Sequence, residues 1–271
     1  MPFLTLPGLG HLPALMLRYE TWGDPQNGRT LVLVHELGGS VESFRDFVRH
    51  LSQDYFVIAY DQRCAGLSEE PVSSFSLDDL ADDMVRLADA LDLPEFDLMG
   101  LAMGAVVALH FARSHPDRVR RLVLCDGTAA IDSNSSRYVL ERASKIRQEG
   151  MRNVALASLQ NSFRGLLDSE PPAYYLRYRD QFIASSPQGY VMHSEALAAM
   201  DLKDEDFARV TCPTLVATGR NDFIWPPEVG QALANRLPNA VFEVVENAAH
   251  FPPLQQGEIF SRRMLQFLKA P

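Results

Sequence analysis

An alanine occupies the place in this chain where a hydroxyl nucleophile is expected. Residues 97–104 read Asp-Leu-Met-Gly-Leu-Ala-Met-Gly and run directly into a helix-forming stretch over 105–112. An apolar strand, a sharp turn with glycine two residues either side of its centre, and then a helix make up the layout of a nucleophile elbow, Gly-x-Ser-x-Gly. Here Gly100 and Gly104 flank Ala102, so the turn is kept without the oxygen it serves to present. Acyl transfer through such a turn needs a base for the nucleophile's proton, an acid to orient that base, and N–H donors for the oxyanion. Base and acid both follow in the order this chemistry uses on such elements. Asp222 lies in Thr218-Gly219-Arg220-Asn221-Asp222 and His250 in Glu246-Asn247-Ala248-Ala249-His250-Phe251-Pro252. Asp222 is 120 residues beyond Ala102, and His250 is 28 beyond Asp222. Asp126, in Leu124-Cys125-Asp126-Gly127, competes for the role of acid or else caps the helix that follows it.

Residues so far apart converge only if the elements carrying them run side by side. Apolar runs over 14–22, 30–35, 55–60, 96–99, 121–125, 214–218 and 241–245 read as strands. Several are solidly aliphatic rather than alternating, as burial on both faces requires. Helical patterns over 43–51, 77–91, 103–114, 227–236 and 258–268 alternate with them. That rhythm predicts an α/β fold, a mostly parallel central sheet with helices on both faces. Asp222 and His250 each follow a predicted strand, at the carboxyl edge where loops of an open sheet gather ligands. Between 127 and 207 the strands stop and helical patterns take over, broken at Ser169-Glu170-Pro171-Pro172. This stretch is expected to be a helical cap inserted after the strand over 121–125, with 1–126 and 208–271 forming the core.

Taken together and in order, these motifs resemble the α/β-hydrolase superfamily over nearly the whole chain. They are Leu31-Val32-Leu33-Val34-His35, Tyr60-Asp61-Gln62-Arg63 with Gly66-Leu67-Ser68, the elbow at 100–104, 219–222 and His250. The segment 194–201 and the Asp-Gln-Arg loop resemble the 3-oxoadipate enol-lactonase branch. The resemblance implies an oxyanion hole from the backbone N–H groups of Met103, just after the elbow, and Leu37, in the loop after the strand over 30–35. That loop is normally His-Gly-x-Gly; here it reads His35-Glu36-Leu37-Gly38-Gly39, and Cys64 stands where glycine is common in the next loop. Glu36 is expected to turn its charge to solvent, with His35 buttressing the loop or touching substrate. Arg137, Arg164, Tyr174, Tyr175 and His193 of the cap are candidate contacts to a polar or anionic substrate, and Trp225 is expected in the pocket wall or packed beneath the cap.

Three accounts of Ala102 remain open at this level. A single Ser→Ala replacement, of the kind that traps bound substrate, fits the retained acid, histidine and elbow glycines. The parent would then hydrolyse a small ester or lactone, or a related amide or C–C bond, through an acyl-enzyme. Alternatively, His250 acts as general base in a serine-independent enzyme, as cofactor-free oxygenases resembling this family do. The third account is a binding protein without catalysis.

The bulk properties narrow the partners. The chain has 271 residues, 46% hydrophobic and 22% charged, with a net charge of −10 from 25 basic and 35 acidic side chains. No basic run is present, which argues against nucleic acid and against an anionic membrane surface. No apolar run approaches the length of a membrane span, and the start of the chain, broken by Pro2, Pro7 and Gly8, does not read as a signal peptide. Residues 127–200 carry eight basic and seven acidic side chains, close to balanced in an acidic protein. The three separated cysteines, Cys64, Cys125 and Cys212, are expected to be free thiols in a reducing cytoplasm. Neither a cofactor nor a metal is implied; the expected partner is a small molecule.

Overall fold

The computed structural model describes residues 2–71, 73–165 and 170–270. Eight strands form one sheet in the spatial order β1-β2-β4-β3-β5-β6-β7-β8. In chain order they are β1 Phe3–Leu6, β2 Leu15–Trp22, β3 Thr30–Val34, β4 Phe56–Tyr60, β5 Phe96–Leu101, β6 Val119–Cys125, β7 Thr214–Gly219 and β8 Ala240–Val245. β2 pairs antiparallel with both β1 and β4, and every pairing from β4 to β8 is parallel. The fully buried strands lie in the inner part of the sheet: every residue of β5 and β7 is buried, as a strand covered on both faces must be.

Helices α1 Leu77–Ala90, α2 Met103–Ser114, α8 Pro227–Arg236 and α10 Gly257–Leu268 pack on this sheet. α1 begins at a capping box in which Ser76 accepts from the Asp79 N–H while the Asp79 carboxylate accepts from the Ser76 N–H. Between β6 and β7 lie α3 Ser133–Glu149, α4 Met151–Ser162, α5 Ala173–Ala184, α6 Pro187–Ala198 and the short α7 Asp204–Ala208. No strand interrupts this stretch among the described residues, as its sequence predicts. The break expected at 169–172 ends on Pro172, the N-cap of α5; its Ser169 lies outside the described residues. The short helix α9 Pro252–Gln255 directly follows the His250 loop.

Two local expectations are corrected. The helix anticipated over 43–51 is a pair of 3-10 turns, Val41–Phe44 and Val48–His50. Ser40 caps the first turn, and Asp61 accepts from its leading N–H, Val41, at 2.7 Å. β1 was not anticipated: it is a four-residue edge strand cut off by Pro7 and Gly8.

Candidate active site

The turn from β5 into α2 holds Ala102 at φ 51°, ψ −115°, a left-handed conformation that costs a residue with a β-carbon. Close packing enforces it. A β-carbon on Gly100 would lie 2.2 Å from the Gly104 carbonyl oxygen, and one on Gly104 would lie 2.2 Å from that of Val34. The Ala102 N–H is held by the Cys125 carbonyl at 2.8 Å, fastening the turn to β6. At the start of α2 the Met103 N–H has no carbonyl four residues behind it. Met103 lines the same cavity as Leu37, whose N–H makes no hydrogen bond among the described residues.

The loop carrying Leu37 is fixed from behind. The His35 Nδ1–H donates to the Glu36 carbonyl at 2.8 Å, and its Nε2 accepts from the Gln62 N–H at 3.0 Å. Gln62 donates in turn to the His35 carbonyl, at 2.9 Å. With both ring nitrogens occupied, burial pushes His35 down to about 4. His35 is a buttress and does not line the main cavity. Gln62 belongs to the Asp-Gln-Arg loop, which Arg63 anchors to α1 by a bidentate pair with Asp83 at 2.6 and 2.7 Å. Cys64, in the place where glycine is common, sits at φ 61°.

Asp222, just beyond β7, and His250, in the loop after β8, meet behind the elbow. The His250 Nδ1–H donates to Asp222 Oδ2 at 2.8 Å. Asp222 Oδ1 accepts from the N–H groups of Ile224 at 2.8 Å and Trp225 at 3.1 Å. Both side chains are buried. The Asp222 bond fixes the tautomer, leaving the Nε2 lone pair of His250 as a base. The His250 ring packs edge-on to Trp225, and the backbone N–H of His250 donates to the Ser162 carbonyl at the end of α4, at 3.2 Å.

Asp126 neither caps α3, whose N-cap is Asp132, nor takes the histidine bond. Fully buried at φ 48°, it accepts from Gly219 N–H at 3.0 Å and from the Cys125 thiol at 3.3 Å. Polar atoms of Asp126, Asp222 and His250 all lie within 4.8 Å of one another. Burial, and then the charge of Asp222, push the Asp126 carboxyl well above the ordinary carboxylate range, toward its neutral form.

A cavity of about 290 Å³ opens over Ala102. Leu37, Met103, His250 and Trp225 line it from the core; Tyr138, Arg142, Tyr178 and Tyr190 line it from α3, α5 and α6. Glu36 lines it too, which overturns the expectation that it faces water: the residue is 1% exposed. Ser43 donates to Glu36 Oε1 at 2.7 Å, and that carboxyl lies directly against Gly39, where a β-carbon would come within 2.3 Å. Burial raises Glu36 above its ordinary range, with the Tyr178 hydroxyl beside it.

The candidates from residues 127–207 fare differently. Arg137 is exposed and does not line the cavity, though it bonds Asn134, which does, at 2.6 Å. Arg164 is exposed and stacks on Phe223, 4.2 Å from the ring centre, outside the lining. Tyr174 and Tyr175 pack on Phe163 instead of reaching in. His193 is buried, donates to the Gly189 carbonyl at 2.8 Å, and reaches only a small void beside His35. Arg142, which sequence reasoning missed, is the guanidinium that lines the cavity. It lies five residues, about one and a half turns, beyond Arg137 on α3.

The buried histidines predict a pH dependence of stability. Burial pushes His193 down to about 3 and His35 to about 4, whereas both titrate near 6.5 when unfolded. The unfolded chain therefore takes up protons first as pH falls. The stability is whole above pH 6.5 and drains as pH falls toward about 4, on the order of 3 kcal/mol per histidine. His193→Gln should lose less stability than the parent between pH 7 and pH 5 in urea titrations; equal losses would refute the assignment.

Among the described residues no helix is long and apolar enough to cross a membrane, and all three cysteines are buried, free thiols. The family model described as alpha/beta hydrolase fold matches residues 29–256. 3-Oxoadipate enol-lactonase 2 of Acinetobacter baylyi is 26% identical, with 93% of each chain covered. RutD of Caulobacter segnis, assigned by its name to carbamate hydrolysis, is 31% identical over 93% of this chain and 96% of its own. The crystal structure of the enol-lactonase from Burkholderia xenovorans superposes with a TM-score of 0.91 at 28% identity, covering 99% of this chain and 100% of that one. With its mostly parallel sheet, elbow and His250–Asp222 pair, the chain belongs to the alpha/beta hydrolase fold family and resembles the 3-oxoadipate enol-lactonase branch.

Proposed function

We propose that this site is built to hydrolyse a small carboxylic ester or lactone, with position 102 as the seat of the nucleophile. The observation that carries this reading is the His250–Asp222 bond of 2.8 Å behind a cavity floored by Ala102. With serine at 102, His250 Nε2 takes the hydroxyl proton as Oγ attacks the carbonyl carbon. The oxyanion so formed is held by the Leu37 and Met103 N–H groups, each such donor contributing about 3 kcal/mol. Collapse breaks the acyl–oxygen bond, and His250 returns the proton to the leaving alkoxide. Water, activated in the same way, then releases the acid. With Ala102 no bond forms, so the chain holds substrate and turns it over barely. The experiment is an assay of short esters and lactones before and after Ala102→Ser; no gain in hydrolysis refutes the proposal.

Asp222 is the acid in this scheme, and Asp126 is a buried neighbour that does not take the histidine bond. In the Ala102→Ser background, Asp222→Asn should lower turnover about 10⁴-fold, by loss of the correct histidine tautomer. Asp126→Asn should change it only slightly, because the His250 bond goes to Asp222 and burial already pushes the Asp126 carboxyl toward its neutral form. The reverse ranking in steady-state assays would make Asp126 the acid. Residues 127–207 serve as a cap whose side chains set the substrate, and the buried thiols suit a reducing cytoplasm.

One observation favours a second reading. Glu36 and Ala102 depart from the usual pattern at the same cavity, and a single replacement at 102 does not account for Glu36. In a serine-independent enzyme, His250 would remove an acidic C–H proton from the ligand. Deuterium exchange into such a ligand that vanishes in His250→Ala, together with no gain from Ala102→Ser, would select it.

A further inference from the structure

We propose that Glu36 is a second proton-transfer group, so that the chain as it stands, with Ala102, moves a proton along a small unsaturated ester. This goes beyond the hydrolase reading and rests on the serine-independent alternative only for the role of His250 as base. Glu36 lines the cavity over Ala102 together with His250, Leu37 and Met103. Its surroundings give a carboxyl proton a defined place. Ser43 Oγ accepts from the Ser40 N–H at 3.4 Å and from Gln181 Nε2 at 3.1 Å. The Ser43 proton therefore goes to Glu36 Oε1, at 2.7 Å, which makes Oε1 an acceptor. A proton on the carboxyl belongs on Oε2, which is buried without a hydrogen-bond partner.

Among the described residues Glu36 pairs with no Lys or Arg, and burial favours its protonated form. His250 is coupled to it: positive charge on that ring favours the ionised carboxyl. An imidazole that has just taken a proton thus makes Glu36 readier to release one. In the reaction, His250 Nε2 takes a proton from the carbon between the ester carbonyl and the double bond. The electron pair passes into a dienolate, whose oxygen the Leu37 and Met103 N–H groups hold. The far carbon of the dienolate takes the Glu36 proton, which leaves the double bond conjugated with the carbonyl. Solvent then removes the proton from His250 and returns one to Glu36. The sum is an isomerisation, with no atom gained or lost.

The test incubates the unaltered chain with ethyl but-3-enoate in heavy water and follows the ester by proton NMR. Ethyl but-2-enoate should accumulate, with deuterium from solvent as the new hydrogen of its methyl group. His250→Ala should abolish both this product and exchange at the carbon next to the carbonyl. Glu36→Gln keeps an acceptor for Ser43 but has no proton to give. It should slow product formation at least about 100-fold more than it slows exchange. No product from the unaltered chain, equal slowing of both readouts in Glu36→Gln, or a new methyl hydrogen drawn from the substrate itself overturns the proposal. Thermal unfolding checks the fold of each variant; should Glu36→Gln not fold, the label in the product of the unaltered chain decides. Hydrolysis is scored separately on ethyl butanoate, which has no double bond to shift. If Ala102→Ser cleaves ethyl butanoate while the unaltered chain forms no ethyl but-2-enoate, the proton shift is wrong and the hydrolase stands. The opposite pair of results keeps the shift and removes the acyl-enzyme reading.

Discussion

Ala102→Ser raises turnover of a short ester or lactone by a factor on the order of 10⁴ to 10⁶. Removing the serine of a triad costs about 10⁶ in turnover, while binding and oxyanion donors survive. Restoring it here should recover much of that, because the rest of the apparatus is in place. The elbow already has its conformation at φ 51°, ψ −115°, so the new Oγ enters without rebuilding the backbone. His250 is oriented through Asp222 at 2.8 Å. The gain should appear in kcat and vanish in the double variant with His250→Ala. A burst of leaving group at high enzyme concentration would mark acyl-enzyme formation. An increase below about tenfold, within the reach of general-base catalysis alone, would count against a nucleophile at 102.

The second large effect concerns stability. Gly104→Ala should destabilise the chain by more than about 4 kcal/mol or prevent folding, well beyond the usual cost of overpacking. Its β-carbon would stand 2.2 Å from the Val34 carbonyl oxygen and 2.6 Å from that of His35. Both obstacles are backbone, so relief requires α2 to move off β3. Gly10→Ala is the control: that glycine has a positive φ, 56°, but nothing lies within 4 Å of the added carbon. Its cost should be about 1–2 kcal/mol, the backbone penalty alone. Urea midpoints measure both; similar losses at the two sites would refute the packing argument.

Legibility in the sequence tracked how local the cause was. Strands such as 30–35 and 121–125 matched Thr30–Val34 and Val119–Cys125 closely, because burial on both faces writes itself into unbroken aliphatic runs. Asp222 was readable because it follows such a strand, and His250 because it follows the run over 241–245, although only Val245 of β8 is buried. The edge strand Phe3–Leu6 was not, since its partner β2 rather than its own pattern makes it a strand. Glu36 misled for a related reason. A glutamate in a glycine-rich loop reads as solvated, and only Ser43, Gly39 and Tyr178, packed around its carboxyl, make its burial tolerable. Arg137 and Arg142 show the limit most plainly. Periodicity separates their faces on α3, but which face looks down on the cavity depends on how α5 and α6 pack around it.

The bond from His250 N–H to the Ser162 carbonyl carries a mechanical corollary. Gln255, on the helix following the histidine loop, donates to that carbonyl as well, at 3.3 Å. One oxygen at the tip of α4 thereby ties the helices between β6 and β7 to the loop that carries His250. A displacement of α4 that broke these two bonds would leave the His250 backbone without that support.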